Sequence, residues 1–137
     1  MATLKLEIVT PEGRTFSEDV DMVVIPGVEG QLGVYPKHVP LMTQLLPGEI
    51  KILQGGKETE LVLGNGFAEI NQMSVSILTD MAATESDIDE TTIEEAVKRA
   101  QETLQNRELD SAEVAETEAA LARSVALLRF KRRRRQS

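Results

Sequence analysis

Cysteine is absent from the 137 residues, which excludes disulfides, thiolate metal sites, CxxC redox chemistry and a cysteine nucleophile, and suits a reducing compartment. Tryptophan is absent too, and aromatics amount to 3%, so the core has to be assembled from Val, Ile, Leu, Met and Ala. No apolar run approaches the roughly 20 residues needed to cross a bilayer. Acidic Glu7 and Glu12 stand where the apolar stretch of a signal peptide would lie. The chain is therefore expected to stay in the compartment where it is made. Glycine and proline are missing from the second half: all 9 glycines and all 5 prolines lie before residue 67.

Charge of one sign is missing from the end of the chain. Residues 1–84 carry 5 basic and 11 acidic side chains and residues 85–128 carry 4 and 12, whereas residues 129–137 carry 6 basic and none acidic. The net charge of -8 argues against a nucleic-acid binder and for a soluble protein. The tail RFKRRRRQS is either simply solvated or a ready partner for an acidic surface.

Up to residue 84 the hydrophobic period is two. Leu4, Leu6 and Ile8 share one side of a strand, and the period returns at Val20, Met22 and Val24, at Ile50 and Ile52, at Leu61 and Leu63, and at Met73, Val75 and Ile77. Turn signals separate the runs: Pro11-Glu12-Gly13, Pro26-Gly27, Pro47-Gly48, Gly55-Gly56 and Gly64-Asn65-Gly66. Short strands at this spacing predict an antiparallel β-sandwich or barrel.

Beyond Ala83 alanine and glutamate dominate. Thr91 with Glu94 has the spacing of a capping box, and Ile93, Ala96, Val97, Ala100 and Leu104 fall on one helical stripe. Asp110 with Glu113 is placed to cap a second helix, whose apolar seam is Val114, Leu121, Val125 and Leu128. The short link Gln105 to Leu109 makes the pair an antiparallel hairpin. Alanine seams bury little area, so the hairpin should be marginal by itself, able to dock and to let go. The expected domains are 1–86, a sandwich, and 87–137, a helical hairpin with a basic tail.

Reactive chemistry is scarce. There is one histidine and no HExxH, GxSxG or GxxxxGK[ST]. Gly27, Gly30 and Gly33 lack both the dinucleotide spacing and the lysine of a phosphate loop, and read as turns and bulges. His38, between Pro36 and Pro40, has no second ligand and suits a structural or interface role. No catalytic residue and no metal site is expected. What stands out is PGVEGQLGVYPKHVPL, residues 26–41, which offers Glu29, Gln31, Tyr35 and His38 on loops held by prolines.

PGVEGQLGVYPKHVPLMTQLLPGEIKI, then GNGFAEI and VSIL, resembles the ε subunit of bacterial and chloroplast F-type ATP synthases, the counterpart of the mitochondrial δ subunit. The resemblance covers residues 3 to about 130. It implies a non-catalytic central-stalk subunit that couples ion-driven rotation of the c-subunit ring to ATP synthesis, at the cytoplasmic face of the bacterial plasma membrane. It also implies partners: the γ subunit and the c ring, met by the loop region holding Glu29, Gln31, Tyr35 and His38. The membrane is then touched only through the complex. Some relatives have an acidic residue at the position of Gln31, where an amide can still hydrogen-bond.

The hairpin, on the same resemblance, is a regulatory element that permits turnover when folded on the sandwich and blocks ATP hydrolysis when extended into the α/β catalytic head. Arg123, Arg129, Lys131, Arg132, Arg133, Arg134 and Arg135 would then meet an acidic loop of the β subunits. Some relatives bind regulatory ATP on the folded hairpin. Ile88, Asp89, Arg99 and Arg123 match part of that pattern, but Thr92, Ile93 and Leu127 depart from it, so ATP binding here is expected to be weak. The alternatives are a free-standing sandwich whose basic tail binds a polyanion and, further off, an autonomous enzyme.

Overall fold

A computed structural model describes residues 2–105 and 109–136 and forms two compact units, the first ending at Ala82 and the second starting at Ala83. That division lies ahead of the 86/87 boundary drawn from composition. The first unit is a single continuous sheet built from β1 (Leu4–Thr10), β2 (Gly13–Val20), β3 (Met22–Gly27), β4 (Gly30–Val34), β5 (Leu41–Leu45), β6 (Gly48–Gln54), β7 (Lys57–Leu63), β8 (Gly66–Ile70) and β9 (Ser74–Thr79). The two-residue strand β10 (Ala82–Ala83) ends it. Neighbours run in the order β7-β6-β3-β5-β8-β9-β1-β2, with β4 branching from β3.

The sheet bends over its own inner face. Gln54, at the end of β6, donates through Nε2 to the Asp19 carbonyl of β2 at 2.9 Å, and the Gly55 amide donates to Asp21 Oδ2 at 2.9 Å. These bonds tie β2 and the residue after it, at one end of the order, to the end of β6, near the other end, giving the flattened barrel that a sandwich of two half-sheets becomes when it bends over its own face. Inside lie Leu4, Leu6, Ile8, Val20, Val23, Ile25, Leu45, Ile50, Ile52, Leu63, Ile70, Val75 and Ile77, all essentially inaccessible. Each such side chain contributes about 1.5–3 kcal/mol by leaving water. The buried polar side chains among the described residues are Thr10 and Thr79, and each donates to a carbonyl, of Gly13 and of Asn65.

The alternation read from the sequence is realised in β1, β6 and β9, and three details differ. Asp21 breaks the run after Val20, so the phase slips: Val23 and Ile25 face inward in place of Met22 and Val24. Met73 precedes β9 and is half-exposed. Pro26-Gly27 is the end of β3, and the reversal comes at Val28-Glu29, where Gly30 takes φ +126°. The ladder of β1 on β9 is parallel, from Lys5 opposite Ser74 to Val9 opposite Leu78. A parallel pair needs a long crossover, and here most of the barrel is that crossover.

The second unit holds a 3-10 turn (Glu85–Asp87) and two helices, α1 (Glu90–Leu104) and α2 (Ser111–Gln136). Asp89, not Thr91, is the N-cap of α1: its Oδ1 accepts from the amides of Thr91 and Thr92. Asp110 caps α2 by accepting from the Glu113 amide at 2.8 Å, as expected. Part of the link Gln105 to Leu109 lies outside the described residues. Ile93, Ala96, Val97, Ala100 and Leu104 are only half-buried, as are Val114, Leu121 and Val125. The shallow seam is the one the small residues dictate.

Gly66 sits at a tight position of the barrel. A β-carbon there would run into the Leu78 carbonyl and the Thr79 backbone of the neighbouring strand. Gly66→Ala should lower the stability of the chain by about 1–3 kcal/mol, read as a lower midpoint in urea. An unchanged midpoint would show that β8 and β9 are free to part.

Candidate functional site

Two places carry the residues singled out above. The first is the tip of the β3–β4 hairpin. Gly27 and Gly30 bring its strands together, and the Val28 amide donates to the Gln44 carbonyl of β5 at 2.8 Å. This leaves a cleft of about 450 Å³ whose walls include Glu29, Gln31, Leu32, Met42 and Gln44. Glu29 and Gln31 are both exposed there, offering one charge and one amide beside the apolar Met42 side chain. The cleft can hold a polar or cationic side chain of a partner; no group in it is arranged for bond-making chemistry.

Tyr35 and His38 are not part of that cleft. Tyr35 lies four extended residues beyond Gln31, about 13 Å along the strand. It flanks a separate depression with Asp21, Pro36 and Lys37. The Lys37 backbone is held in the left-handed region (φ 69°), and its amide donates to the Gln72 carbonyl. His38 is half-buried and its Nδ1–H donates to the Val39 carbonyl at 2.7 Å. Because a carbonyl only accepts, this bond fixes the tautomer and directs Nε2 away from the backbone.

A third surface was not foreseen from the sequence. Phe67 and Leu78, directly opposite each other on β8 and β9, are both more than half exposed, and Met42 on the next strand is 67% exposed. Val9 continues the row on β1, opposite Leu78. The signal was present in the alternation: once Ala68, Ile70, Val75 and Ile77 are assigned inward, Phe67 and Leu78 have to face outward. Apolar rows of this kind on a sheet face mark contact surfaces.

The second place is the end of the hairpin where the chain enters α1 and leaves α2. Ile88, Leu128 and Phe130 are buried there, and Phe130 is the largest fully buried side chain of the protein. The basic tail is no appendage. Residues 129–136 are the last two turns of α2, where cations are favoured by the helix dipole. Arg132 forks onto α1, Nε to Glu90 Oε1 at 2.9 Å and Nη2 to Glu94 Oε1 at 2.6 Å. Both bonds raise the Arg132 pKa, the one to Glu90 more. Arg134 Nε reaches Glu85 at 3.2 Å and Lys131 Nζ donates to the Glu85 carbonyl at 3.4 Å. The Arg133 guanidinium lies 5.9 Å from the Phe130 ring centroid. Arg129 is exposed, and the Arg135 side chain lies outside the described residues.

The group proposed for ATP is not assembled at one point. Ile88 is buried, Asp89 is engaged as a cap, exposed Arg99 lies about 15 Å further along α1, and Arg123 is half-buried on α2. Among the described residues there is no cluster of metal ligands, and no helix is long and apolar enough to cross a membrane.

Residues 3–85 match the family model of the β-sandwich domain of the ATP synthase delta/epsilon chain, and residues 86–131 match that of its long α-helix domain. The chain belongs to the ATP synthase delta/epsilon family. It is 43% identical over 135 residues to an ATP synthase epsilon chain of Dehalococcoides mccartyi, covering 98% of this chain and 96% of the relative. It is 39% identical to that of Herpetosiphon aurantiacus, covering 96% of each. Among solved structures, a chain of the Euglena gracilis mitochondrial ATP synthase (OSCP/F1/c-ring assembly) superposes with TM-score 0.79 at 27% identity, covering 95% of this chain and 82% of that one. One from the Tetrahymena thermophila central stalk and c ring gives TM-score 0.60 at 14% identity, a likeness of fold. This ε-family chain is thus a non-catalytic stalk subunit.

Within the ε-family hairpin, the Glu85–Asp87 turn presents Glu85 to the tail. Asp87 Oδ2 accepts from the Thr84 amide and the Thr84 hydroxyl, both at 2.9 Å, and these bonds hold its carboxyl below the ordinary aspartate range. A lowered folded-state pKa contributes stability that is complete above the unfolded value, about 3.9, and is lost as pH falls through the folded one. The stability difference between the native chain and Asp87→Asn should therefore be present at pH 6 and shrink below about pH 4, followed by thermal melts. A difference that does not change with pH would show that the turn does not depend on the carboxylate.

Proposed function

We propose that the chain is the rotor subunit that couples c-ring rotation to the catalytic head and restrains ATP hydrolysis through its C-terminal helices. The observation that carries this is the pairing of a rigid barrel bearing exposed contact surfaces with a separate hairpin of shallow seam. The first suits permanent attachment to a stalk, and the second suits a change of position. The outward row Phe67, Leu78 and Met42 is the apolar surface for γ. Glu29 and Gln31 at the β3–β4 tip, with Tyr35 and His38 beyond, face the c ring and γ. The subunit then sits peripherally at the cytoplasmic face of the bacterial plasma membrane, held there by the complex.

In the extended arrangement Arg123, Arg129 and the run Lys131 to Arg135 meet an acidic surface of the β subunits. The free-standing polyanion binder is disfavoured by the tail itself, whose Arg132 and Arg134 are engaged by the chain's own carboxylates. Removal of residues 129–137, or of 87–137, should raise ATP hydrolysis by the assembled complex several-fold and leave synthesis largely intact. Unchanged hydrolysis at low salt, where charge pairing is least screened, would count against the inhibitory role.

Regulatory ATP is a weak ligand in this proposal. Asp89 is committed to its cap, and Arg99 and Arg123 would have to offset the desolvation of a triphosphate with half of the relatives' cations. Calorimetric titration of the full chain with magnesium-free ATP should give millimolar or no binding; micromolar binding would reverse this.

A further inference from the structure

A polar feature that stands out in the second unit is the fork of Arg132. Glu90 and Glu94 are one helical turn apart on the same face of α1, where like charges repel. Arg132 places one nitrogen on each, Nε at 2.9 Å and Nη2 at 2.6 Å. A guanidinium spans two carboxylates because its donors diverge from a rigid plane; an ammonium is a single point. The bonds lie across the open end of the hairpin, beside the turn that receives Lys131 and Arg134. Elsewhere along the hairpin the seam residues, such as Ile93, Val97, Leu104, Val114, Leu121 and Val125, are only half-buried, so this end holds the most fully buried side chains of the hairpin among the described residues.

We propose that Arg132 is a clasp: by forking across Glu90 and Glu94 it keeps the hairpin shut and withholds the tail's cations from acidic partners. The same guanidinium cannot sit on α1 and on an outside acidic surface, so closure and tail recognition exclude each other. The clasp is open to competition. Arg132 and Glu94 retain 48% and 49% of their side-chain exposure, so salt or an acidic protein surface can reach and displace the pair. The clasp stands on the chain's own geometry; only its effect on ATP hydrolysis rests on the rotor function proposed above.

The test uses the full chain, with barrel amides as internal reference, and hydrogen exchange in residues 128–134 as readout. Arg132→Glu should speed exchange there about five- to tenfold, the scale of a charge-assisted fork at a partly exposed site. Arg132→Lys should fall in between, because charge remains and the fork is lost. Combining Arg132→Glu with Glu90→Arg and Glu94→Arg should restore protection to within about twofold. Arg129→Glu, the same charge change on an exposed position of the same helix, should leave exchange unchanged. Raised salt should speed exchange in the native chain and not in Arg132→Glu. Unchanged exchange in Arg132→Glu, or failure of the reversed charges to restore it, would overturn the clasp.

A second arm separates the clasp from the inhibitory role. In the assembled complex, Glu90→Gln with Glu94→Gln frees Arg132 without removing a cation, and hydrolysis should fall. Faster exchange in this variant with unchanged hydrolysis would support the clasp and remove the inhibitory tail.

Discussion

The barrel interior is the constraint on which the rest of the structure depends. A sheet of short strands with almost no aromatic residues has to reach a closed aliphatic core, and it does so by turning one face of every strand inward. Leu4, Leu6 and Ile8 meet Val75 and Ile77 across the parallel β1–β9 ladder, and Ile50 and Ile52 meet Val23 and Ile25 from the other end of the order. With β2 and the end of β6 tied through Gln54 and Asp21, the outer face becomes a stable platform. Its outward residues, Phe67 and Leu78 among them, are fixed in place by their inward neighbours.

The hairpin follows opposite physics. Its seam residues are small and half-buried, and its buried apolar side chains, Ile88, Leu128 and Phe130, are gathered at one end. Polar bonding is gathered at that end as well, from the Thr84–Asp87 turn through the Asp89 cap to the Arg132 fork. An element closed at one end by exposed charge pairs and aligned elsewhere by small and half-buried apolar side chains opens more readily than a barrel with a continuous core. On the function proposed above, this contrast would let one unit stay attached while the other changes position.

Much of this was legible in the residues. The period of two gave the sandwich-or-barrel class, the dominance of alanine and glutamate beyond Ala83 marked the change to helix, and the glycine and proline pattern of residues 26–52 carried the family. Details failed where a single residue overrode a pattern. Asp21 shifted the phase of β3, so Met22 and Val24 were misplaced. Asp89 displaced Thr91 as the cap, because its carboxylate reaches two amides. The four loop residues were grouped by nearness in sequence, whereas an extended strand carries Tyr35 away from the cleft of Glu29 and Gln31.

By itself the sequence determined the elements and the family, since periodicity, turn residues and composition are local properties and the glycine and proline pattern is read directly from the residues. It determined that one unit would be strongly cored and the other thinly seamed. Only the tertiary structure decided what long-range pairing controls: that β1 runs parallel to β9, that Phe67, Leu78 and Val9 align into one outward row, and that Phe130 is buried within a run of cations. It also decided the fate of the basic tail. Six positive charges in nine residues look alike in a sequence, and their roles diverge when an antiparallel helix brings Glu90 and Glu94 within reach of Arg132 and leaves Arg129 facing water.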